Sequence, residues 1–392
     1  MIKKLAAALM SLALVLAGGN SLAAFAGPPA AGLLGPRLAA AADYSWPVAV
    51  PSACVVKEAK FLGQGGSPAW SPANDWLAYQ KWDASGVYQL RMMRPDGSGD
   101  KCITCTAQAG APRVDRHKVN YNWHPSGRYL VLQGEMDNHP LVWFSRDKFI
   151  SELMVNGLWT NLYVTSPDGS KWYRLTNYSS SATDGAMSPW FSADGSKLLW
   201  TRLVAPASNE NPWGLYRLMV ADFVETNGVP SLANIRDITP AGAKFVEPHG
   251  FSPDGRTVLF TGDMENTHNW GMDIWSTDLA TGALKNLTKS PHWDEHASYS
   301  PGGKKIVYMS SEPYLWALLK TELMVMSADG TSRSQLTHFN VPGYPESTAE
   351  QSMPTRANWN SDGSRLAVTQ QMVNTYPATQ MWLFTFAGIC GD

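Results

Sequence analysis

Six times between Trp70 and Val368 the chain repeats one short pattern: an aromatic residue, a small or polar pair, a tight turn, then an apolar run. The copies read WSPANDWLAY from Trp70, WHPSGRYLVL from Trp123, FSADGSKLLW from Phe191, FSPDGRTVLF from Phe251, YSPGGKKIVY from Tyr299 and WNSDGSRLAV from Trp359. Their anchors lie 48 to 68 residues apart, the length of one four-stranded blade each. An all-β, six-bladed propeller of antiparallel blades is therefore the expected fold, with residues 43–392 as a single domain.

Each copy continues in the same order: a second strand, a variable stretch, a third strand ending in a turn, and a fourth strand ending in a Leu-Thr-like pair. Asp96-Gly97 precedes Ile103-Thr104, Asp168-Gly169 precedes Leu175-Thr176, and Asp329-Gly330 precedes Leu336-Thr337, each with an offset of seven residues. Asp-Gly steps supply the positive φ that tight hairpins need, and alternating apolar residues bury one blade against the next. In these repeats the chain resembles the propellers of TolB and its relatives, from about Ser67 onward. The resemblance implies a fold and says little about function. It departs from TolB itself in leaving only a couple of dozen residues between the later cleavage site and the first blade, too few for that protein's separate α/β domain. The Gly-x-Ser-x-Gly of the hydrolase domain attached to prolyl-oligopeptidase propellers is missing as well.

Lys3 and Lys4 followed by the apolar run Leu5–Ala17 have the form of a bacterial secretory signal, broken at Gly18 and Gly19 before it reaches membrane-spanning length. Residues 1–42 are read as signal and leader, with cleavage after Ala26 or Ala42, placing the protein in the periplasm or the medium. No integral membrane segment is expected after cleavage. A net charge of −2 offers no basic field for phosphate backbones, so nucleic acid is not an expected partner.

Copy six stops after a third strand at about Gln380–Phe386, and the segment Val55–Leu62 stands in the fourth-strand position before copy one. The N-terminal strand is thus expected to complete the last blade and remove its open edge. Cys54 and Cys390 fall at the hairpin this split blade lacks, which predicts a disulfide between them. Cys102 and Cys105 bracket Ile103-Thr104. In a straight strand they stand roughly 10 Å apart, so they bridge only if the chain curls after Thr104. A structural disulfide is preferred over a redox pair or half a zinc site.

Blade topology puts the short turns on one face and all long insertions on the other. The long-loop face gathers His117, His139, Glu247, His249, His268, His292, Asp294, Glu295, His296, Gln351 and Arg356, with Trp143, Trp213, Trp270, Trp293 and Trp316. Only His124 is clearly assigned elsewhere, to a tight turn. Glu247, His249, Asp294, His296 and Arg356 precede or open the first strands of three consecutive blades, so they are expected to converge at the channel mouth. Three readings of the cluster are open. These groups cap loops and pair with one another; or they line a surface for a glycan, peptide or protein ligand; or His249, His296 and a carboxylate hold a divalent metal, the one cofactor considered. The function expected is an exported propeller binding a ligand or partner on this face. The alternative is a metal-assisted polysaccharide lyase or hydrolase similar to the TolB-like oligogalacturonate lyases, and whether the protein is an enzyme stays open. Within the insertion Asp137–Gly157, Arg146–Val155 has weak helical spacing. It is read as a lid over the channel or, preferably, as a loop on the blade edge.

Overall fold

The computed structural model describes residues 54–390, apart from 145, 148–152, 182, 209–210, 267, 315–318 and 376–377. The signal and leader expected over residues 1–42, and Trp316, lie outside the described residues. Strand β1 (Val56–Gln64) comes first in the chain. Blade one follows with β2 (Gly66–Trp70), β3 (Leu77–Trp82), β4 (Tyr88–Met93) and β5 (Lys101–Cys102). Blade two holds β6 (Lys118–Trp123), β7 (Leu130–Glu135), β8 (Thr160–Thr165) and β9 (Trp172–Arg174), and blade three β10 (Gly185–Phe191), β11 (Lys197–Ala205), β12 (Leu215–Thr226) and β13 (Val229–Asp237). Blade four holds β14 (Val246–Phe251), β15 (Thr257–Gly262), β16 (Asp273–Asp278) and β17 (Leu284–Asn286), and blade five β18 (Asp294–Tyr299), β19 (Lys305–Ser310), β20 (Glu322–Ser327) and β21 (Ser334–Gln335). Blade six holds β22 (Ser352–Trp359), β23 (Arg365–Met372) and β24 (Thr379–Phe386), and its fourth strand is β1. The fold is the six-bladed propeller that the repeats imply.

The split closure is antiparallel, from Val56 opposite Phe386 to Gln64 opposite Gln380. Cys54 and Cys390 are bonded and buried beside it. The chain does curl after Thr104, bringing the Cα atoms of Cys102 and Cys105 within 5.7 Å in a second disulfide. Among the described residues no cysteine is free. No described helix is long and apolar enough to cross a membrane.

The repeated Thr has a definite task. Its hydroxyl accepts from an amide near the start of the third strand, Leu90 to Thr104 at 3.0 Å, Leu162 to Thr176 at 2.9 Å, Ile274 to Thr288 at 3.0 Å and Leu323 to Thr337 at 2.9 Å. It then donates to a polar side chain on that strand: Gln89, Asn161, Asp273 or Glu322. A buried amide is satisfied and the outer strand is tied down in one stroke.

Inner strands carry a second repeated device. In blades one to five the register against the second strand slips by one at the same place, between Gly66 and Ala69, Val119 and Asn122, Met187 and Trp190, Pro248 and Gly250, and Glu295 and Ser298. Blade six slips between Pro354 and Ala357. Ser67, Asn120, Ser188 and His296 sit in these bulges with φ of 51°, 56°, 53° and 54°. A bulge re-aims side chains, and here it turns several toward the channel. The bulge amide is capped from the preceding blade: Thr369 accepts from Ser67, Gln80 from Asn120 and Gln133 from Ser188.

Candidate functional site

Four consecutive blades contribute to one polar cluster at the long-loop end of the channel. Ser188 comes from blade three, Glu247 and His249 from blade four, His296 from blade five and Arg356 from blade six. Arg356 Nη2 donates to Ser188 Oγ at 2.5 Å and lies 3.5 Å from Glu247 Oε1. Ser188 Oγ donates to Glu247 Oε1 at 3.0 Å. His249 Nε2 meets Thr261 Oγ1 at 2.6 Å, and the rings of His249 and His296 are 5.9 Å apart. Glu247, His249 and His296 each offer one ligand atom, all within 4.8 Å of one another. Arg356 also lies over the ring of Trp190, 5.7 Å from its centroid.

The electrostatics follow from burial. Desolvation holds both imidazoles in the neutral form, pushing His249 down to about 3 and lowering His296 as well. Burial alone would raise Glu247, but His296, His249, Arg356 and the Ser188 hydroxyl outweigh it and keep the carboxyl below its ordinary range. Glu295, whose Oε2 is 3.7 Å from His296 Nε2, is pushed up to about 8 by burial and by the charge on Glu247. Two neutral imidazoles beside an ionised carboxylate are the protonation states a divalent cation needs. The Nδ1 atom of His296 is buried and has no hydrogen-bond partner, which an ordinary structural histidine avoids.

The expected convergence of Asp294 is corrected. Its carboxylate accepts from Ser310 at 2.5 Å and Ser290 at 2.7 Å, and burial pushes it up to about 7. Strand alternation puts Asp294 and Glu295 on opposite faces, and the bulge at His296 then returns the next side chain to the channel side. Gln351 uses its backbone carbonyl to accept from Val373 and shows no contact with the cluster. His117 and His139 sit instead in blade two around Glu135, whose carboxylate meets His139 Nε2 at 2.7 Å and accepts from the His117 amide. Trp213, Trp270 and Trp293 pack edge to face along the rim, with centroids 4.9 and 4.8 Å apart, and Trp143 is 89 % exposed. Ser188 was missed in sequence. Its signal was its place three residues before the anchor Phe191, the place His296 holds before Tyr299.

The described end of the insertion, Leu153–Gly157, packs on the inner strands of blades two and three and not along the blade edge. After the helical residues Leu153–Val155, the carbonyls of Met154 and Val155 accept from Gln133, and Val155 also accepts from Asn120. Asn156 accepts from Tyr216 of blade three at 3.1 Å.

Fold and cluster together define a propeller whose channel is crossed by a polar group spanning opposite blades. The same fold occurs in an oligogalacturonate lyase solved in complex with manganese, at 11 % identity and a TM-score of 0.50, covering 88 % of this chain and 96 % of that one. A gluconolactonase from Xanthomonas campestris matches at 15 % identity and 0.50, covering 86 % and 97 %. TolB from Acinetobacter baumannii matches at 16 % identity and 0.46, over 83 % of this chain, which spans 64 % of that longer one. No family model matches this sequence, and no curated protein does. These likenesses are of fold alone: the chain is a six-bladed β-propeller.

Proposed function

We propose that the protein is an exported propeller that binds a divalent metal ion at the long-loop end of its channel and takes a glycan, peptide or protein ligand there. Glu247, His249 and His296 are the metal ligands in this reading. The observation that carries it is that one ligand atom each of Glu247, the buried His249 and the partly buried His296 lie within 4.8 Å of one another, one imidazole nitrogen of His296 being unpartnered. Two atoms bound at about 2.1 Å to one ion stand at most about 4.2 Å apart, so adjustments of under about 1 Å complete the set. The rim tryptophans supply apolar surface beside it, and two disulfides suit an oxidising compartment.

Arg356 favours a second reading, in which the cluster only plugs the channel, because its guanidinium already neutralises Glu247. Elemental analysis and calorimetric titration separate the two. Manganese, which the oligogalacturonate lyase of this fold holds, is the first ion to try, followed by zinc. One ion per chain is expected, lost in the His249→Ala, His296→Ala double variant while its circular dichroism is retained. Wild-type protein that takes up neither ion at millimolar concentration leaves the plug as the function of these residues.

A further inference from the structure

We propose that the segment Leu153–Trp159 is the gate of the channel mouth and that Gln133 is its latch. Both lie beside the cluster without belonging to it. The gate crosses the inner-strand ends of blades two and three: Gly157 packs on Ala186 and Met187, and Thr160, just after it, donates to the carbonyls of Gly157 and Ala186. A Cβ placed on Gly185 would collide with the Gly157 carbonyl, so the two backbones meet flush.

Gln133 is fully buried and its amide serves two sides at once. Its Oε1 accepts from Asn120 Nδ2 at 2.9 Å and from the Ser188 amide at 3.3 Å. Its Nε2 donates to the carbonyls of Met154 and Val155. Ser188 in turn holds Glu247 and Arg356, so Gln133 and Ser188 connect the gate to these two residues. Gln80 and Thr369 cap the equivalent bulge amides of the neighbouring blades with a single acceptor. The Nε2 arm of Gln133 therefore exceeds what the repeat requires, and what it holds is the gate.

The closed gate carries stored cost. Trp159 is fully buried with φ of 55°, a conformation that bulky residues avoid. Its indole Nε1 has no acceptor. His139 stacks on that indole at 4.6 Å and 13°, and the His139 Nδ1 atom is also buried without a partner. Opening would hydrate both nitrogens and relax the backbone, while Gly157, at φ of 94°, provides a hinge. The closed state is held by the Gln133 amide together with Asn120, Thr160, Tyr216 and the buried side chains of Leu153, Met154 and Leu158, and it is opposed by the strain at Trp159 and by two orphaned polar atoms.

Hydrogen exchange tests the gate directly. The amides of Gly157 and Leu158 bond within the segment, to Met154 and Leu153, so they report its opening. In wild-type protein they should exchange at least about tenfold faster than the amides of β7 and β8, and Gln133→Met should speed them about tenfold more while leaving the other blades unchanged. Equal exchange in gate and blades, or a Gln133→Met effect spread over the whole ring, overturns the proposal.

The second arm rests on the metal reading. A Cβ at Gly157 would stand 3.2 Å from that of Met187, so Gly157→Cys with Met187→Cys should form a lock across the gate. Manganese entry, followed by stopped-flow chelator competition, should slow by about tenfold or more in the locked protein with the equilibrium affinity unchanged. Unchanged entry overturns the gate. If no metal binds wild-type protein, the metal reading has failed and the exchange measurement alone decides the gate.

Discussion

Arg356 of blade six donates to the Ser188 hydroxyl of blade three at 2.5 Å, so a single side chain joins two blades that stand opposite each other across the channel. Two blades lie between them in either direction around the ring. This contact makes Glu247 the shared partner of a cation and a hydroxyl, and it sets the terms on which any metal enters.

Arg356→Met tests those terms. Removing the buried cation leaves Glu247 uncompensated, and the expected loss is about 3 kcal/mol of unfolding free energy in chelator-treated protein. Manganese at a hundred times its dissociation constant should return about 2.7 kcal/mol, because the ion replaces the lost positive charge. Denaturant titration with and without the ion reads both numbers. A loss that metal fails to restore assigns Arg356 and Glu247 to the plug.

The two disulfides should differ in weight. Cys54 and Cys390 close a loop of separation 336, Cys102 and Cys105 one of separation 3. Chain entropy then gives about 6 kcal/mol for the first and about 2 kcal/mol for the second. Paired Cys→Ala variants compared by thermal unfolding should show the larger drop for Cys54 and Cys390, with β1 the first strand to lose exchange protection.

Thr337→Val removes the hydroxyl that accepts from Leu323 and donates to Glu322. The Leu323 amide is left unsatisfied in the interior while Glu322 keeps the Phe339 and Asn340 amides, at an expected cost of about 1 to 3 kcal/mol. Thr331→Ala, in an exposed turn bonded to Asp329, serves as the control and should cost under about 1 kcal/mol.

Asp294 gives a pH signature. Its folded value is pushed up to about 7, mainly by burial, from an ordinary 3.8. Between those values the native chain binds the extra proton, so the stability it contributes is complete below about pH 4 and fades as the pH rises to 7. Asp294→Asn keeps Ser290 and Ser310 as partners, since either hydroxyl can turn to accept. Its stability should change less across this window than that of the wild type, by an amount on the order of a few kcal/mol. Parallel curves for the two proteins over pH 4 to 7 would show that the group is not protonated in the fold.

The repeat, read from the sequence, determined the blades, the turns between their strands and the split closure, because each rests on a local pattern: an aromatic anchor, a Gly turn, a Leu-Thr-like pair beginning seven residues past an Asp. The pairing of Cys54 with Cys390 followed from that same arithmetic, and the closeness of Glu247, His249, His296 and Arg356 followed from their equivalent places in successive blades. What period and position left undecided was the direction of each side chain. Strand alternation combined with the inner-strand bulge turned Asp294 outward and His296 inward, although they stand two positions apart, where alternation alone would put them on one face. Tertiary contacts also drew His117 and His139 toward Glu135 and laid the end of the blade-two insertion, Leu153–Gly157, on the inner strands of blades two and three. Only the closed ring could bring Ser188 to Arg356, because a contact across the channel has no counterpart in the spacing of residues within any one blade.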